Sequence, residues 1–419
     1  MQHQCFRRFG FRLLTGLLLV WLSFSGLSAQ TTANLNFLHS ARKKVVVPFT
    51  FVQNLIIIPL SINGSKPLNF IVDTGVATAL LTDVSSIDSL QLLHPSPLEI
   101  QGLGAGEDMQ ALRSEGNRLE FAGIAGDSLE VNVLLTDLFK LSTRLGMEVH
   151  GLIGYDLFRD FVVEIDYRRQ KLTFYVPQFY KVSRKQKVIP LLIENKKAYV
   201  NALLEQQPND TIPVKLVVDN GLSHALSLYL PSDNRLKLPA KTIDAYLGTG
   251  LSGHIHGKIG RVQRLQIGSF SLSQVPVSYP DREAIEPALL LGNRNGNLGA
   301  EVLKRFKVVF DYRNSRMLLQ PNSWFYKPFY YNLSGVELSS PVPGLRYYVI
   351  SDVTKNSPAN VAGLKKGDQL LMLNGSYMKD FELSDLIRIF ESKPGRKIEL
   401  RIKRGTEMLD VKFTLQSPI

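Results

Sequence analysis

Two short segments place an aspartate in the same local setting, and their residue types suit acid–base chemistry. The segments are Asp73-Thr74-Gly75 and Asp219-Asn220-Gly221, and each follows an apolar run that predicts a strand ending in a tight turn. If the two turns face each other, the carboxyls share one proton, so that one is ionised and the other neutral. Such a pair can activate a water as general base and protonate a carbonyl as general acid. This chemistry requires neither a metal nor a covalent intermediate, so we predict no cofactor.

A single Asp-Thr-Gly turn is weak evidence, since the same residues also form purely structural turns. Here the turn belongs to an internal repeat, in which four segments recur in the same order at a separation of 144–146 residues. The paired segments are 70–75 with 216–221, 103–106 with 247–250, 154–161 with 299–306, and 165–167 with 310–312. The chain is therefore predicted to contain two homologous lobes.

Both lobes are predicted to be rich in β-structure, because short β-branched and apolar runs alternate with turn residues. The predicted strands of lobe one are 56–62, 68–72, 162–167 and 171–176, and those of lobe two are 198–204, 214–218, 307–312 and 316–320. A short helix is predicted in each lobe, at 157–161 and 302–306. The basic stretch 180–187 is predicted to link the lobes.

These residues resemble the retropepsin-like aspartic peptidases, in the bacterial exported form with a C-terminal PDZ domain. The two aspartate turns carry the resemblance together with Gly151-Leu152-Ile153-Gly154 and Asn297-Leu298-Gly299, which occupy the place of the family's apolar-apolar-Gly element. The resemblance implies a mainly β, bilobal retropepsin/pepsin-like double β-barrel with lobes at 45–180 and 188–325. It also implies a peptide or protein substrate in a cleft, Asp73 and Asp219 as the catalytic pair, and Thr74, Gly75, Asn220 and Gly221 as its support.

Two positions in lobe two depart from the family pattern. Asn220 replaces the usual Thr or Ser, and an amide has a different reach, so a looser grip between the lobes is expected. Asn297 stands where an apolar residue is usual. These departures keep open a second reading, a non-catalytic protein that binds peptides with the same cleft, and a third, a scaffold.

Glycine-rich segments recur in both lobes after the aspartate turns. Gly104-Ala105-Gly106 and Gly248-Thr249-Gly250 are predicted to be two flaps, one from each lobe, that close over a substrate. The alternative is that both are ordinary hairpin turns.

The last part of the chain, residues 332–419, resembles bacterial PDZ domains in the segment 356–375. The resemblance implies that Gly344, Leu345, Arg346 and Tyr347 form a loop that accepts a peptide carboxylate, and that a ligand adds as a strand beside Tyr347-Tyr348-Val349. A helix over 381–390 would wall the groove, with Leu386 and Ile389 as lining candidates. A PDZ fold that only packs on the lobes is the alternative.

The N-terminal 29 residues are predicted to be a secretory signal peptide, because Arg7, Arg8 and Arg12 precede a short apolar run and then small residues. An uncleaved membrane anchor is the competing reading, although the run is short for a bilayer. After cleavage no stable membrane insertion is expected, and a periplasmic or secreted location follows. The net charge of +12 is spread thinly without interleaved aromatic residues, so no nucleic-acid partner is predicted. His254 and His256 lack an evident third ligand, and no metal site is predicted.

Overall fold

The computed structural model describes residues 34–83, 90–106, 109–208, 210–290 and 293–419. The predicted signal peptide lies outside the described residues. Among the described residues, no helix has both the length and the apolar character needed to cross a bilayer.

Lobe 1 is a closed barrel of six strands with short additions. Its elements are β1 (Asn36–Phe37), β2 (Lys44–Pro48), β3 (Thr50–Val52), β4 (Leu55–Ile62), β5 (Leu68–Val72), β6 (Ala79–Leu81), β7 (Pro95–Ile100), β8 (Met109–Phe121), β9 (Ile124–Leu134), α1 (Leu141–Leu145), β10 (Gly151–Ile153), α2 (Tyr155–Asp160), β11 (Val162–Asp166) and β12 (Lys171–Tyr175). The hydrogen-bonded order β9-β6-β10-β5-β4-β8 returns to β9, which closes the barrel. Alternate apolar residues of β4 and β5 belong to the main core, while Ile57 and Ile71 are buried in a separate cluster with Leu145 and Val149.

Lobe 2 repeats this barrel. Its elements are β13 (Lys187–Pro190), β14 (Leu192–Glu194), β15 (Lys197–Glu205), β16 (Thr211–Asp219), β17 (Leu226–Leu228), β18 (Ile243–Gly250), β19 (Gly253–Ile267), β20 (Phe270–Pro280), α3 (Arg282–Leu290), β21 (Gly296–Gly299), α4 (Ala300–Leu303), β22 (Phe306–Asp311) and β23 (Arg316–Pro321). The order β15-β16-β21-β17-β20-β19 returns to β15.

A third sheet joins the two lobes. Its six strands run in the order β13-β23-β22-β11-β12-β2, so that β11 of lobe 1 pairs antiparallel with β22 of lobe 2 at its centre. Ile165 lies opposite Val308, and both are fully buried. The lobes are therefore fused through one continuous sheet and a shared apolar core.

The C-terminal module has its own sheet and core. It contains β24 (Val336–Ser339), β25 (Val349–Val353), α5 (Pro358–Val361), β26 (Gln369–Leu373), β27 (Ser376–Tyr377), α6 (Leu383–Phe390), β28 (Lys397–Arg404) and β29 (Glu407–Thr414). The strand order is β24-β25-β26-β28-β29, with β27 paired to β26. A separate apolar cluster fills the space between this sheet and α6.

The predicted strands and the mainly β, double-barrel fold are confirmed. The predicted helix over 302–306 is the main difference, because α4 ends at Leu303 and Phe306 already begins β22. Phe306 is fully buried against Phe270 and Phe325, and this packing favours the strand.

Candidate active site

The first aspartate turn is held by a parallel pair of strands inside lobe 1. β10 lies beside β5, with Ile153 opposite Val72, and the N–H of Asp73 donates to the carbonyl of Ile153 at 2.8 Å. A Cβ on Gly154 would lie 2.0 Å from the carbonyl oxygen of Asp73, so only glycine fits behind the turn. The element predicted to cross behind the turn therefore does so.

Lobe 2 builds its turn in the same way. β21 lies parallel to β16 and pairs with it up to Gly299, opposite Asp219. Gly299 is as tightly enclosed as its lobe 1 counterpart, because a Cβ there would lie 2.0 Å from the carbonyl oxygen of His224. Each aspartate is thus fixed at the end of a central barrel strand.

The two carboxyls face each other across the junction of the lobes. A Cβ on Gly221 would lie 2.1 Å from the carboxyl carbon of Asp73, and one on Gly75 would lie 3.2 Å from that of Asp219. The approach of the Asp73 carboxyl therefore excludes a side chain at Gly221, and a side chain at Gly75 would be tightly packed against the Asp219 carboxyl. The structure brings together both aspartates and both glycines predicted from the sequence.

The residues after the aspartates lock the lobes together through four buried hydrogen bonds. The Thr74 hydroxyl donates to the Val218 carbonyl at 2.7 Å and accepts from the N–H of Asn220 at 3.1 Å. In return the Asn220 amide donates to the Val72 carbonyl at 2.9 Å and accepts from the N–H of Thr74 at 2.7 Å. The expectation that Asn220 loosens this grip is wrong, because its amide supplies the same donor and acceptor as the Thr74 hydroxyl.

Burial and neighbouring charges shift the pKa of Asp73 and of the nearby Lys197. Burial, and then the adjacent charge of Asp219, raise the pKa of Asp73 well above its usual range. Burial and the nearby Arg294 lower the pKa of Lys197, whose ammonium group is attracted by both aspartates. A carboxyl with a raised pKa beside a second carboxyl can hold a proton and donate it to a bound group.

The structure adds two residues that the sequence analysis did not assign to the site. The side-chain amide of Asn297 donates to the Asp219 carboxylate at 2.6 Å, and the Tyr229 hydroxyl donates to the Asn297 oxygen at 3.0 Å. In the sequence, Asn297 stands out only as a departure from an apolar position. A buried polar residue present in one repeat, where the other has Leu152, was the signal that could have identified it.

Both predicted flap segments belong to hairpins that extend over the junction. Residues 101–106 belong to the connection between β7 and β8, as expected for Gly104, Ala105 and Gly106. In lobe 2, Gly248, Thr249 and Gly250 lie in the arm of β18, and the turn itself is Leu251-Ser252. The predicted position is therefore early by a few residues, because Gly250 still pairs with Gly253.

The two hairpin tips contact each other. The N–H of Gly102 donates to the Ser252 hydroxyl at 3.1 Å, and the N–H of Ser252 donates to the Leu103 carbonyl at 2.9 Å. Leu103 packs on the lobe 2 cluster around Tyr229, while Leu251 packs on the lobe 1 cluster around Leu80. Each lobe thus holds the tip of the other hairpin.

The loop of the C-terminal module that is predicted to bind a peptide carboxylate contacts lobe 1. The N–H of Gly344 donates to the carbonyl of Gly146 in lobe 1 at 3.0 Å, and Arg346 pairs with Glu382 at 2.5 Å. Leu345 and Tyr347 are exposed. Of the predicted lining residues, Leu386 is fully buried in the module core, and Ile389 is half-buried.

The expected strand addition beside Tyr347-Tyr348-Val349 is wrong. A strand has two edges, and β25 is paired on both, with β24 on one side and β26 on the other. The outer strand of this side of the sheet is β24. The outer edge of this side of the sheet therefore belongs to β24 and not to β25.

Comparison with known families agrees with this architecture. The aspartyl protease family model matches residues 58–157 and 205–295, which contain one aspartate turn each, and the PDZ domain model matches residues 333–415. The matches fall on the two barrels and on the C-terminal module. The chain therefore combines two barrels that match the aspartyl protease family model with a C-terminal PDZ domain.

Proposed function

We propose that the protein is an exported aspartic endopeptidase in which Asp73 and Asp219 form the catalytic pair. The observation that carries the proposal is the close approach of each carboxyl to the opposite turn: a Cβ on Gly221 would lie 2.1 Å from the Asp73 carboxyl carbon, and one on Gly75 would lie 3.2 Å from that of Asp219. The Thr74–Asn220 grip holds this approach rigid, as a reaction between a bound water and a substrate requires.

In the proposed reaction a water lies between the carboxyls. The ionised carboxyl takes a proton from the water, whose oxygen attacks the carbonyl carbon of the scissile bond, while the neutral carboxyl protonates the carbonyl oxygen. The carboxyl that took the proton from the water passes it to the amide nitrogen, and the C–N bond breaks to release the amine. A hydroxyl of the tetrahedral intermediate returns its proton to the other carboxyl, so the new carboxyl end is formed and the starting pair is restored. An extended peptide would lie between the aspartates and the two hairpin tips, Leu103 and Leu251 among them.

In this proposal the PDZ domain carries a second peptide-binding site. The β24 edge and the neighbouring α6 suit a segment that adds as a strand, so a substrate or partner would be captured there. Export is inferred from the N-terminal arginines and the apolar run, and the N-terminal sequence of the mature protein tests it: a start near residue 30 is expected.

The peptidase proposal is tested with purified protein and an unfolded polypeptide over acidic to neutral pH, with products mapped by mass spectrometry. Wild type should generate internal cuts, and Asp73→Asn and Asp219→Asn should not. Both variants keep the Thr74–Asn220 hydrogen bonds and should fold. Cuts that persist in both variants, or their absence in all three proteins, would overturn the proposal; binding without cutting would point to the non-catalytic alternative.

A further inference from the structure

Asn297 and Tyr229 form a buried relay that ends on one carboxyl of the pair. Asn297 lies on β21, opposite Val217 of β16, and Tyr229 follows β17. Only 6% of Asn297 and 0% of Tyr229 are exposed. The hydrogen bonds run from the Tyr229 hydroxyl to the Asn297 oxygen and from the Asn297 nitrogen to Asp219 Oδ2.

The relay makes the hydrogen bonding of the two aspartates unequal. Asp219 Oδ1 accepts from the N–H groups of Gly221 and Leu222 at 3.1 and 3.0 Å, and Oδ2 accepts from Asn297. For Asp73, the backbone hydrogen bond seen among the described residues is that from Gly75, at 2.7 Å. Donors stabilise the ionised form of a carboxyl, so the extra donors favour the negative charge on Asp219.

The Asn297 side-chain amide points its nitrogen to Asp219 and its oxygen to Tyr229, and the chemistry of both partners requires this orientation. A carboxylate can only accept, so an ionised Asp219 requires the amide nitrogen on its side and leaves the amide oxygen for Tyr229. Burial raises the pKa of Tyr229 to about 12, so this hydroxyl remains a donor over the range in which the aspartates titrate.

The charged groups that face the pair support the same assignment. β15 and β16 are antiparallel with Tyr199 opposite Val217, and this register places Lys197 across from Asp219. Arg294 lies over the Tyr229 ring at 5.4 Å. The register places Leu55 across from Asp73 in lobe 1, so this position carries a lysine in lobe 2 and an apolar side chain in lobe 1.

We propose that Asn297, oriented by Tyr229, is a positioning residue that makes Asp219 the ionised carboxyl of the pair and leaves the shared proton on Asp73. This inference rests on the proposed peptidase function. It assigns the roles in the reaction: Asp219 takes the proton from the water, and Asp73 protonates the carbonyl oxygen of the scissile bond.

The test is the pH dependence of kcat/KM for cleavage of a fluorogenic peptide by full-length Asn297→Leu, in which leucine replaces Asn297 as Leu152 does in lobe 1. Loss of a hydrogen bond to a charged group should shift the fall in kcat/KM at low pH to a higher pH, by about one to two pH units. Tyr229→Phe should move it in the same direction by less, since the amide donor remains. Asn295→Leu is the matched control, because that amide bonds to Ser232 and to the N–H of Lys215 and not to the aspartates.

An acid limb of Asn297→Leu that coincides with wild type, while the enzyme cleaves, would overturn the inference and leave the peptidase proposal intact. Absence of cleavage by wild type would overturn the peptidase proposal, and a second readout then decides the inference. The loss of thermal stability in Asn297→Leu should be small near pH 3 and grow as the pair ionises, because the lost donor stabilises the charged form. A loss equal at all pH values would indicate a purely structural amide and overturn the inference. If Asn297→Leu does not fold, the same two measurements on Tyr229→Phe decide the inference.

Discussion

At the scale of single residues, Thr74 and Asn220 show how different side chains perform one task. Each is almost completely buried, and each both donates and accepts across the junction of the lobes. What the position requires is a short side chain with both functions, placed directly after the aspartate. Asn220 meets that requirement and keeps the two turns in register.

Asn220→Ala should destabilise the fold, because it removes the side-chain acceptor of the buried Thr74 N–H and the side-chain donor to the Val72 carbonyl. The expected loss in the free energy of unfolding is about 2–4 kcal/mol, measured by urea denaturation followed by circular dichroism. Asn220→Thr restores a donor and an acceptor and should lose less than half as much. Equal losses in the two variants would contradict the described grip.

Asp73 should make stability depend on pH in a defined direction. Its pKa is raised by burial and by Asp219, so the folded protein holds this proton more tightly than the unfolded chain. The stability contributed by this proton is fully present below the unfolded pKa of about 3.9 and is lost as the pH rises through the folded pKa.

Asp73→Asn should therefore unfold at a higher temperature than wild type near neutral pH, with little difference near pH 3. Thermal melts across this range measure the effect, and the low-pH melts serve as the internal control. A difference that stays constant with pH would contradict the raised pKa.

At the scale of elements, the two hairpins are held by the opposite lobe. The tip of lobe 1 passes so close to that of lobe 2 that a Cβ on Gly104 would lie 2.3 Å from the backbone of Ser252. Gly104 has φ +128°, and Gly248 has a similar φ of +135° but open space around it. A side chain at either glycine would strain the backbone, but only a side chain at Gly104 would also collide with the opposite tip.

Gly104→Ala should open the hairpins, whereas Gly248→Ala should only strain its own strand. We expect amide exchange to accelerate in both 101–106 and 250–253 in Gly104→Ala, by about tenfold or more, which corresponds to 1.4 kcal/mol. Exchange mass spectrometry measures both segments at once. Acceleration confined to one tip, or equal in the two variants, would show that the tips do not support each other.

At the scale of the whole molecule, the PDZ domain rests on lobe 1. Ser340, directly after β24, donates to the carbonyl of Thr143, and Gly344 donates to that of Gly146, at 2.8 and 3.0 Å. Helix α1 of lobe 1 therefore ends against the PDZ domain. The side chain of Leu383, at the start of α6, covers Gly146 from the other side.

Gly146→Val should loosen this contact, because a Cβ there would lie 3.1 Å from that of Leu383. Exchange at the amides of Ser340 and Gly344 should become faster by about tenfold. Gly116→Val is the control, since Gly116 has a similar positive φ and its nearest neighbour, His94, lies 3.7 Å away. Unchanged protection of both amides in Gly146→Val would contradict the docking.

The two barrels could be predicted from the sequence because short contiguous segments mark them: apolar runs, turn glycines and the repeat of Asp73-Thr74-Gly75 as Asp219-Asn220-Gly221. Contacts between residues that are far apart in the chain leave no such mark. The hydrogen bond from Asn297 to Asp219 and the contacts of Ser252 with Gly102 and Leu103 join segments that are distant in the chain. A polar residue that looks like a loss of function in the sequence therefore proves to contact Asp219.

If Asp73 and Asp219 act as one catalytic unit, as we propose, the kinetics of a double variant will show it most directly. With a fluorogenic peptide, Asp73→Asn and Asp219→Asn should each lower kcat/KM by about 10³-fold or more, and the double variant should lose no more than either. That non-additivity is the predicted result. A single variant with wild-type activity, or losses that multiply in the double variant, would contradict a shared catalytic pair.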